Sequence, residues 1–592
     1  MKASCLLILL CSILMVIPAT PRAQAQATPY GGVLKVGWLT QPDTLNPFVT
    51  VLIQSFDVLS LTYDTLGKYT PNMTVAPWLA SSWDVSPDGS VWTFHLVKNA
   101  TWSDGVPLTA ADVKFTYDYA IQNKIGAASQ YVQSIQSVTT PDNYTVVITR
   151  QAPLTAGFDQ TLAYPGFPIL PKHIWENISA DNVLNYTNIP IVGSGPFIFQ
   201  EWKSGEYLSL KANPNYWHGR PYVDQIVFQF FSSFDTMLAA LRTGEIDLIP
   251  SDVPALSSAS LAGDPNIKLI TSPSFYTRIF TPNDMVNGTG NPALKNVLVR
   301  RAMQYAIDRN LLAQTVQLGY AQPAVSYIPP AYGIWYNPNV KPYPFNLTIA
   351  AQLLDEAGYT DPHHTGVRSN AQGVRLEFNY WVLNRWPEEM RAASQVQQWF
   401  AQIGIKLDVQ AMDGDTITAY NYPVWKYDIY FWGWEVGPDI SRRLWVLTTD
   451  AVNAQWSASG WSNSTYDQLW QQQLYTLDVN QRRAIIWKMQ DLIQDQSPEI
   501  PFYYMENIGA YRIDKYAGYV SMTLGILSYI NIWSMLSVHL ITAPSATVTP
   551  TSTSTTTAAP DNTPWIVAAI AIVIAIGAIG VAMRGRRKEP NP

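Results

Sequence analysis

Residues 386–410 read "WPEEMRAASQVQQWFAQIGIKLDVQ", and the two periods in this stretch decide the fold class. Pro387 suits a helix start, where its missing N–H has no intrahelical partner to lose. Met390, Ala393, Val396, Phe400 and Ile403 then recur at three- and four-residue spacing as one apolar stripe. Gly404 is the expected end, because glycine accepts the left-handed backbone at a helix C-terminus. Directly after it, Ile405, Leu407 and Val409 alternate with polar residues, as in a strand. The stretch Ser233–Pro250, "SFDTMLAALRTGEIDLIP", repeats the arrangement. Met237, Leu238 and Leu241 share a helical face, Gly244 stops the helix, and Ile246–Ile249 is expected as a short strand. A third helix falls between Asn346 and Tyr359, with Thr348 as its expected cap and Gly358 as its end. Helix-then-strand units through both halves give an α/β class with mixed sheets.

Both chain ends read as targeting segments. Lys2 precedes an apolar run from Cys5 to Ile17, followed by Pro18 and the small-residue pattern "AQAQA" at Ala23–Ala27. Residues 1–27 are therefore expected to be a signal peptide cleaved near Ala25 or Ala27. Trp565–Met583 carries no charge and, as a helix, spans roughly 28 Å, enough to cross a hydrocarbon core. Arg584, Arg586, Arg587 and Lys588 follow it, so the tail 584–592 is expected in the cytoplasm and the rest outside. This predicts a single-pass protein of the cell membrane with an extracellular binding domain. The Ser/Thr/Pro-rich stretch 543–564 cannot bury enough apolar surface to offset its ordering entropy, so it reads as an extended, O-glycosylated stalk. Eight Asn-x-Ser/Thr sites, such as Asn99 and Asn463, fit a glycosylated surface. Both cysteines, Cys5 and Cys11, lie in the signal, so stability of the exported chain rests on packing rather than disulfides.

Composition excludes several classes. A net charge of −7 with only 14% charged residues offers no basic stripe to neutralise phosphates, which argues against nucleic acid. No Gly-x-x-x-x-Gly-Lys-Ser/Thr loop, His-Glu-x-x-His or Gly-x-Ser-x-Gly occurs, and no cysteine nucleophile remains after export. Neither an enzyme, nor a cofactor, nor a metal site is expected. The adjacent His363 and His364 could ligate a metal, but a loop flanked by Pro362 and Gly366 is expected to be merely exposed. The 22 tryptophans and 33 tyrosines serve mostly the core, and they also suit a ligand that stacks on rings.

Residues Ala76–Ala120, "APWLASSWDVSPDGSVWTFHLVKNATWSDGVPLTAADVKFTYDYA", resemble the signature region of the family 5 extracellular solute-binding proteins of ABC importers, here in a membrane-anchored, archaeal-looking form. Further echoes follow in the right order: "GSGPFIFQEWKSGEYLSLKANPNYWHGRP", "TMLAALRTGEIDLI", "VLVRRAMQYAIDRNLL", "AAQLLDEAGY" and "SNSTYDQLW". The resemblance runs from about Gly32 to about Tyr504. It implies a two-lobed, periplasmic-binding-protein-like fold of type II with an extra inserted domain, serving an ABC permease and its separate ATPase subunits. The first lobe is expected at 28–72, 192–282 and 500–542, with the insert at 73–191 and the second lobe at 283–499. Hinge strands are expected near Arg278–Thr281 and Glu499–Pro501.

The resemblance also implies where a ligand binds. Peptide-binding relatives hold it as an added strand, and two segments here match theirs. One follows "QPDTLNP" at Val51, Leu52 and Ile53; the other is Gly433, Trp434 and Glu435 in "YDIYFWGWEVGPDI". The aspartate that pairs with a peptide's α-ammonium is displaced in this sequence, so the role falls to Glu435 or Asp439, or to neither. Asp439 has a competing reading as the cap of a helix beginning at Ile440–Ser441. An oligopeptide is the expected ligand. An oligosaccharide is the alternative, favoured by the rings and the scarcity of charge, and a surface enzyme or structural protein is a distant third.

Overall fold

The computed structural model describes residues 30–50, 52–123, 129–151, 162–251, 253–285, 288–384, 387–421, 425–434 and 437–541. The signal sequence, the stalk and the apolar run 565–583 lie outside these residues. Among the described residues no helix is long and apolar enough to cross a membrane.

The strands in chain order begin with β1 (Val33–Trp38), β2 (Gly67–Tyr69), β3 (Val75–Pro77), β4 (Ala80–Val85), β5 (Val91–Leu96), β6 (Ile135–Asp142) and β7 (Thr145–Arg150). Next come β8 (Phe197–Lys203), β9 (Tyr207–Ala212), β10 (Gln225–Phe230), β11 (Leu248–Ile249) and β12 (Ile267–Pro282). The remainder of the large sheet is β13 (Ala321–Pro323), β14 (Glu377–Leu383), β15 (Lys406–Met412), β16 (Ile429–Trp434) and β17 (Ile500–Arg512). Eleven strands share one mixed sheet in the order β15-β14-β16-β12-β17-β11-β1-β10-β9-β8, with β13 laid on β17. Strands β4-β5-β7-β6 form a separate antiparallel sheet.

Two groups of strands therefore meet at β12 and β17. On one side β1 runs parallel to β10, Val33 facing Gln225. On the other, β14 runs parallel to β15, Glu377 facing Lys406. Parallel neighbours need a crossover, and the helix Pro387–Ala401 supplies it. Ala393, Val396 and Phe400 of its stripe are fully buried. The two groups have separate apolar cores, one built around Leu34, Phe228 and Trp175 and the other around Phe280, Phe400 and Phe502. This is an α/β, mixed-sheet, two-lobed binding-protein fold.

Two local expectations need correcting. Asn346, not Thr348, caps the helix Leu347–Glu356: its Oδ1 accepts the Ile349 N–H at 2.9 Å, and Thr348 falls inside the first turn. β11 holds only Leu248–Ile249, although the Asp247 backbone already bonds to both neighbours, its N–H donating to the Lys35 carbonyl at 2.8 Å and its carbonyl accepting the Arg512 N–H at 2.9 Å. The expected stop at Gly404 is present: after the helix Pro387–Ala401 it takes a left-handed φ of +80°, its N–H donating to the Ala401 carbonyl at 3.2 Å and the Ile405 N–H to that of Phe400 at 3.0 Å.

Candidate functional site

The sequence of β16, "IYFWGW", is aromatic and β-branched, which favours a pleated, half-buried surface. One edge pairs with β12 along its whole length, from Thr277 opposite Trp434 to Pro282 opposite Ile429. The other edge pairs with β14 only at Tyr380–Ile429 and Trp381–Tyr430. Along Trp432–Trp434, then, one edge carries no ladder among the described residues. Unpaired strand edges are templates for another strand. Gly433 and the backbone of Trp434 lie on this edge, while Glu435 is outside the described residues.

The other sequence-predicted segment is shaped by the preceding motif "QPDTLNP". Asp43 accepts hydrogen bonds from the Thr50 and Ser55 hydroxyls at 2.6 and 2.7 Å, tying the loop to the first turn of the helix Ile53–Thr62. Asn46 accepts the Phe48 N–H at 2.9 Å, and its amide donates to the carbonyls of Val183 and Tyr186. Leu52 is the extended residue before that helix, with φ −91° and ψ 141°, and Ile53 begins it. Ile53 is 48% exposed and lines a cavity of about 330 Å³ with Trp38, Met237, Asn507 and Tyr529. Val51 lies outside the described residues.

Residues far apart in sequence converge here. Gly437 adopts φ +70°, and a Cβ on it would stand 3.8 Å from the hydroxyl of Tyr529, the residue that shares the cavity with Ile53. The Tyr332 hydroxyl donates to the Gly437 carbonyl at 3.0 Å. Asn507 of β17 lines both this cavity and a second one of about 850 Å³ that reaches Tyr276, Arg278 and Arg391. Asp439 is the cap of the helix Ile440–Trp445, its Oδ1 accepting the Ser441 N–H at 2.8 Å. Burial pushes its carboxyl above the usual range, and the Ser441 bonds with Arg482 and Arg442 pull it back. Arg278, on β12 opposite Gly433, forms an ion pair at 2.5 Å with Glu389 of the helix Pro387–Ala401, both buried.

Sequence reasoning placed Arg278 only in a hinge strand and missed Tyr276, Glu389, Asn507 and Tyr529. Each sits in an ordinary aromatic or polar context, and Tyr276, Arg278 and Asn507 are brought together by the pairing of β12 with β17. His363 and His364 lie in an exposed loop. Among the described residues no group of three or more His, Cys, Asp or Glu is placed to hold a metal ion.

A cleft floored by strands that join two lobes defines a solute-binding protein. Residues 74–455 match the family described as bacterial extracellular solute-binding proteins, family 5 Middle, and the chain belongs to that family, whose members serve ABC importers as binding subunits rather than enzymes. The glutathione-binding protein GsiB of Salmonella choleraesuis is 28% identical over 484 residues, which cover 79% of this chain and 88% of that protein. The oligopeptide-binding protein AppA of Bacillus subtilis is 28% identical over 413 residues, covering 69% and 74%. The crystal structure of the ABC transporter substrate-binding protein CtaP of Listeria monocytogenes is similar with a TM-score of 0.74 at 25% identity, covering 86% of this chain and 99% of that one.

Proposed function

We propose that this protein captures an oligopeptide between its lobes and delivers it to an ABC permease. The observation that carries this reading is the unpaired edge of β16 along Trp432–Trp434. A peptide added there as a strand satisfies the edge through its own main chain, whatever its side chains. The names of GsiB and AppA, which bind glutathione and oligopeptides, support the same ligand class. In this reading Val51, Leu52 and Ile53 form the opposite wall. Asp439 is engaged as a helix cap, so Glu435 is the better candidate for the ligand's α-ammonium.

The first lobe comprises 28–72, 192–282 and 500–542 with the insert 73–191, the second 283–499, and the lobes close about Arg278–Thr281 and Glu499–Pro501. The helix 565–583 anchors the chain. The stalk 543–564, about 22 residues, reaches at most roughly 70 Å and keeps the glycosylated receptor near its permease at high effective concentration. The second reading, an oligosaccharide, is favoured by the rings of Trp38, Tyr276 and Tyr529 at the two cavities.

Thermal unfolding against a panel of peptides and oligosaccharides separates the two. A ligand at 100 times its Kd stabilises the folded state by about 2.7 kcal/mol, so the melting temperature rises with peptides and stays put with sugars. A rise with oligosaccharides alone replaces the first reading by the second. Chain 28–542 is expected to stay in solution without detergent and to bind as the full chain does; membrane retention of that fragment would overturn the anchor assignment.

A further inference from the structure

Resting on the reading that the ligand pairs with the Gly433–Trp434 strand, we propose that Tyr276 is the residue that selects ligand side chains by size. From Pro273 to Thr277, β12 advances four residues where β17 advances two, from Glu506 to Tyr504. The excess forms a bulge closed on itself, the Tyr276 N–H donating to Ser274 Oγ at 2.9 Å. Bulges re-aim side chains that a regular strand would simply alternate. Phe275 turns into the core, fully buried with its ring 4.8 Å from that of Tyr332. Tyr276 lines the cavity of about 850 Å³ and stands on Gly433. A Cβ at Gly433 would lie 2.4 Å from its ring, so the ring occupies the space that any other residue at 433 would claim.

The ring is held by the protein rather than left to the ligand. Arg278 Nη1 donates to the Tyr276 hydroxyl at 3.0 Å, and the guanidinium lies 4.7 Å from the ring centroid. Glu389 in turn fixes Arg278 at 2.5 Å. Residues directly opposite each other on neighbouring strands point their side chains to the same face. A ligand residue opposite Gly433 therefore sends its side chain to the face that Tyr276 occupies. An apolar side chain of modest size packs on the ring, and a very large one collides with it.

The test uses the full-length protein in detergent and isothermal titration of alanine-background tetrapeptides, with Gly, Leu or Trp placed at each position in turn. The wild type is expected to disfavour Trp at one position. Tyr276→Ala shifts the Trp-to-Leu preference there toward Trp by about tenfold, the scale of a pocket gaining or losing small apolar volume. Tyr276→Phe keeps the wild-type order. Tyr276→Leu, which retains apolar bulk against Gly433, gives an intermediate shift and serves if the alanine variant folds poorly. A purely structural role would lower the affinity of every peptide by the same factor and leave the order intact; that result overturns the proposal. A wild type that binds no tetrapeptide overturns it together with the peptide reading.

Discussion

The two walls of the cleft are built by different means. The wall at Ile53 is made of side chains. Trp38 stacks on Phe228 with centroids 4.0 Å apart, and Tyr529 meets the rings of Phe56 and Tyr164 edge-on at 6.1 and 5.9 Å. The wall at Gly433 is made of backbone, a strand edge whose position is set by its ladder to β12 and by the buried Arg278–Glu389 pair. Main-chain hydrogen bonds are the same for every peptide, whereas apolar contacts differ with each side chain. In the proposed binding mode the difference is a division of labour: the strand edge at Gly433 grips the main chain, while side chains, those around Ile53 and the ring of Tyr276, discriminate.

If the backbone wall depends on the buried pair, removing one partner should hurt most. Glu389→Gln removes a carboxylate 2.5 Å from the buried Arg278 guanidinium and is expected to cost about 3–5 kcal/mol of stability in urea unfolding. A loss under about 1 kcal/mol would mean that the ladder to β12 holds β16 without help. Next in size is the carboxylate proposed to meet the ligand's α-ammonium. Glu435→Gln should weaken free peptides by about 2–5 kcal/mol and N-acetylated peptides hardly at all. Asp439→Asn should change little, since asparagine caps a helix about as well. Equal losses from both variants would show that the cap residue also faces the ligand.

Trp434→Ala sharpens the comparison further. A ligand held mainly through the Trp434 main chain should lose only about 1–2 kcal/mol over many peptides, while a sugar stacked on the indole would lose nearly all affinity. The smallest effect belongs to the side-chain wall. Ile53→Ala removes half-exposed apolar surface that a ligand would cover, worth about 0.5–1 kcal/mol for peptides with apolar residues and nothing for polar ones. A uniform loss across peptides would contradict the assignment of discrimination to this wall.

Much of the secondary structure was legible because its causes are short in range. The stripe ending at Phe400 and the left-handed Gly244 that closes the helix Phe234–Thr243 follow from spacing and from glycine's backbone freedom. The cap at Asn346 was misread as Thr348 because either side chain can accept a helix N–H, and two residues of offset are invisible to periodicity. Gly433 was named from the resemblance as a ligand-pairing position, whereas the local reason for a glycine there, the ring of Tyr276, is invisible in the sequence.

By itself the sequence determined the α/β alternation and the family, both of which rest on residues close together in the chain. Only the tertiary structure decided how distant strands meet. The register of β12 against β17 joins residues more than 200 positions apart, and its two-residue excess between Pro273 and Thr277 places Tyr276 against Gly433 and Phe275 in the core. No local pattern encodes such a bulge, because it balances two ladders that form independently on either side of it.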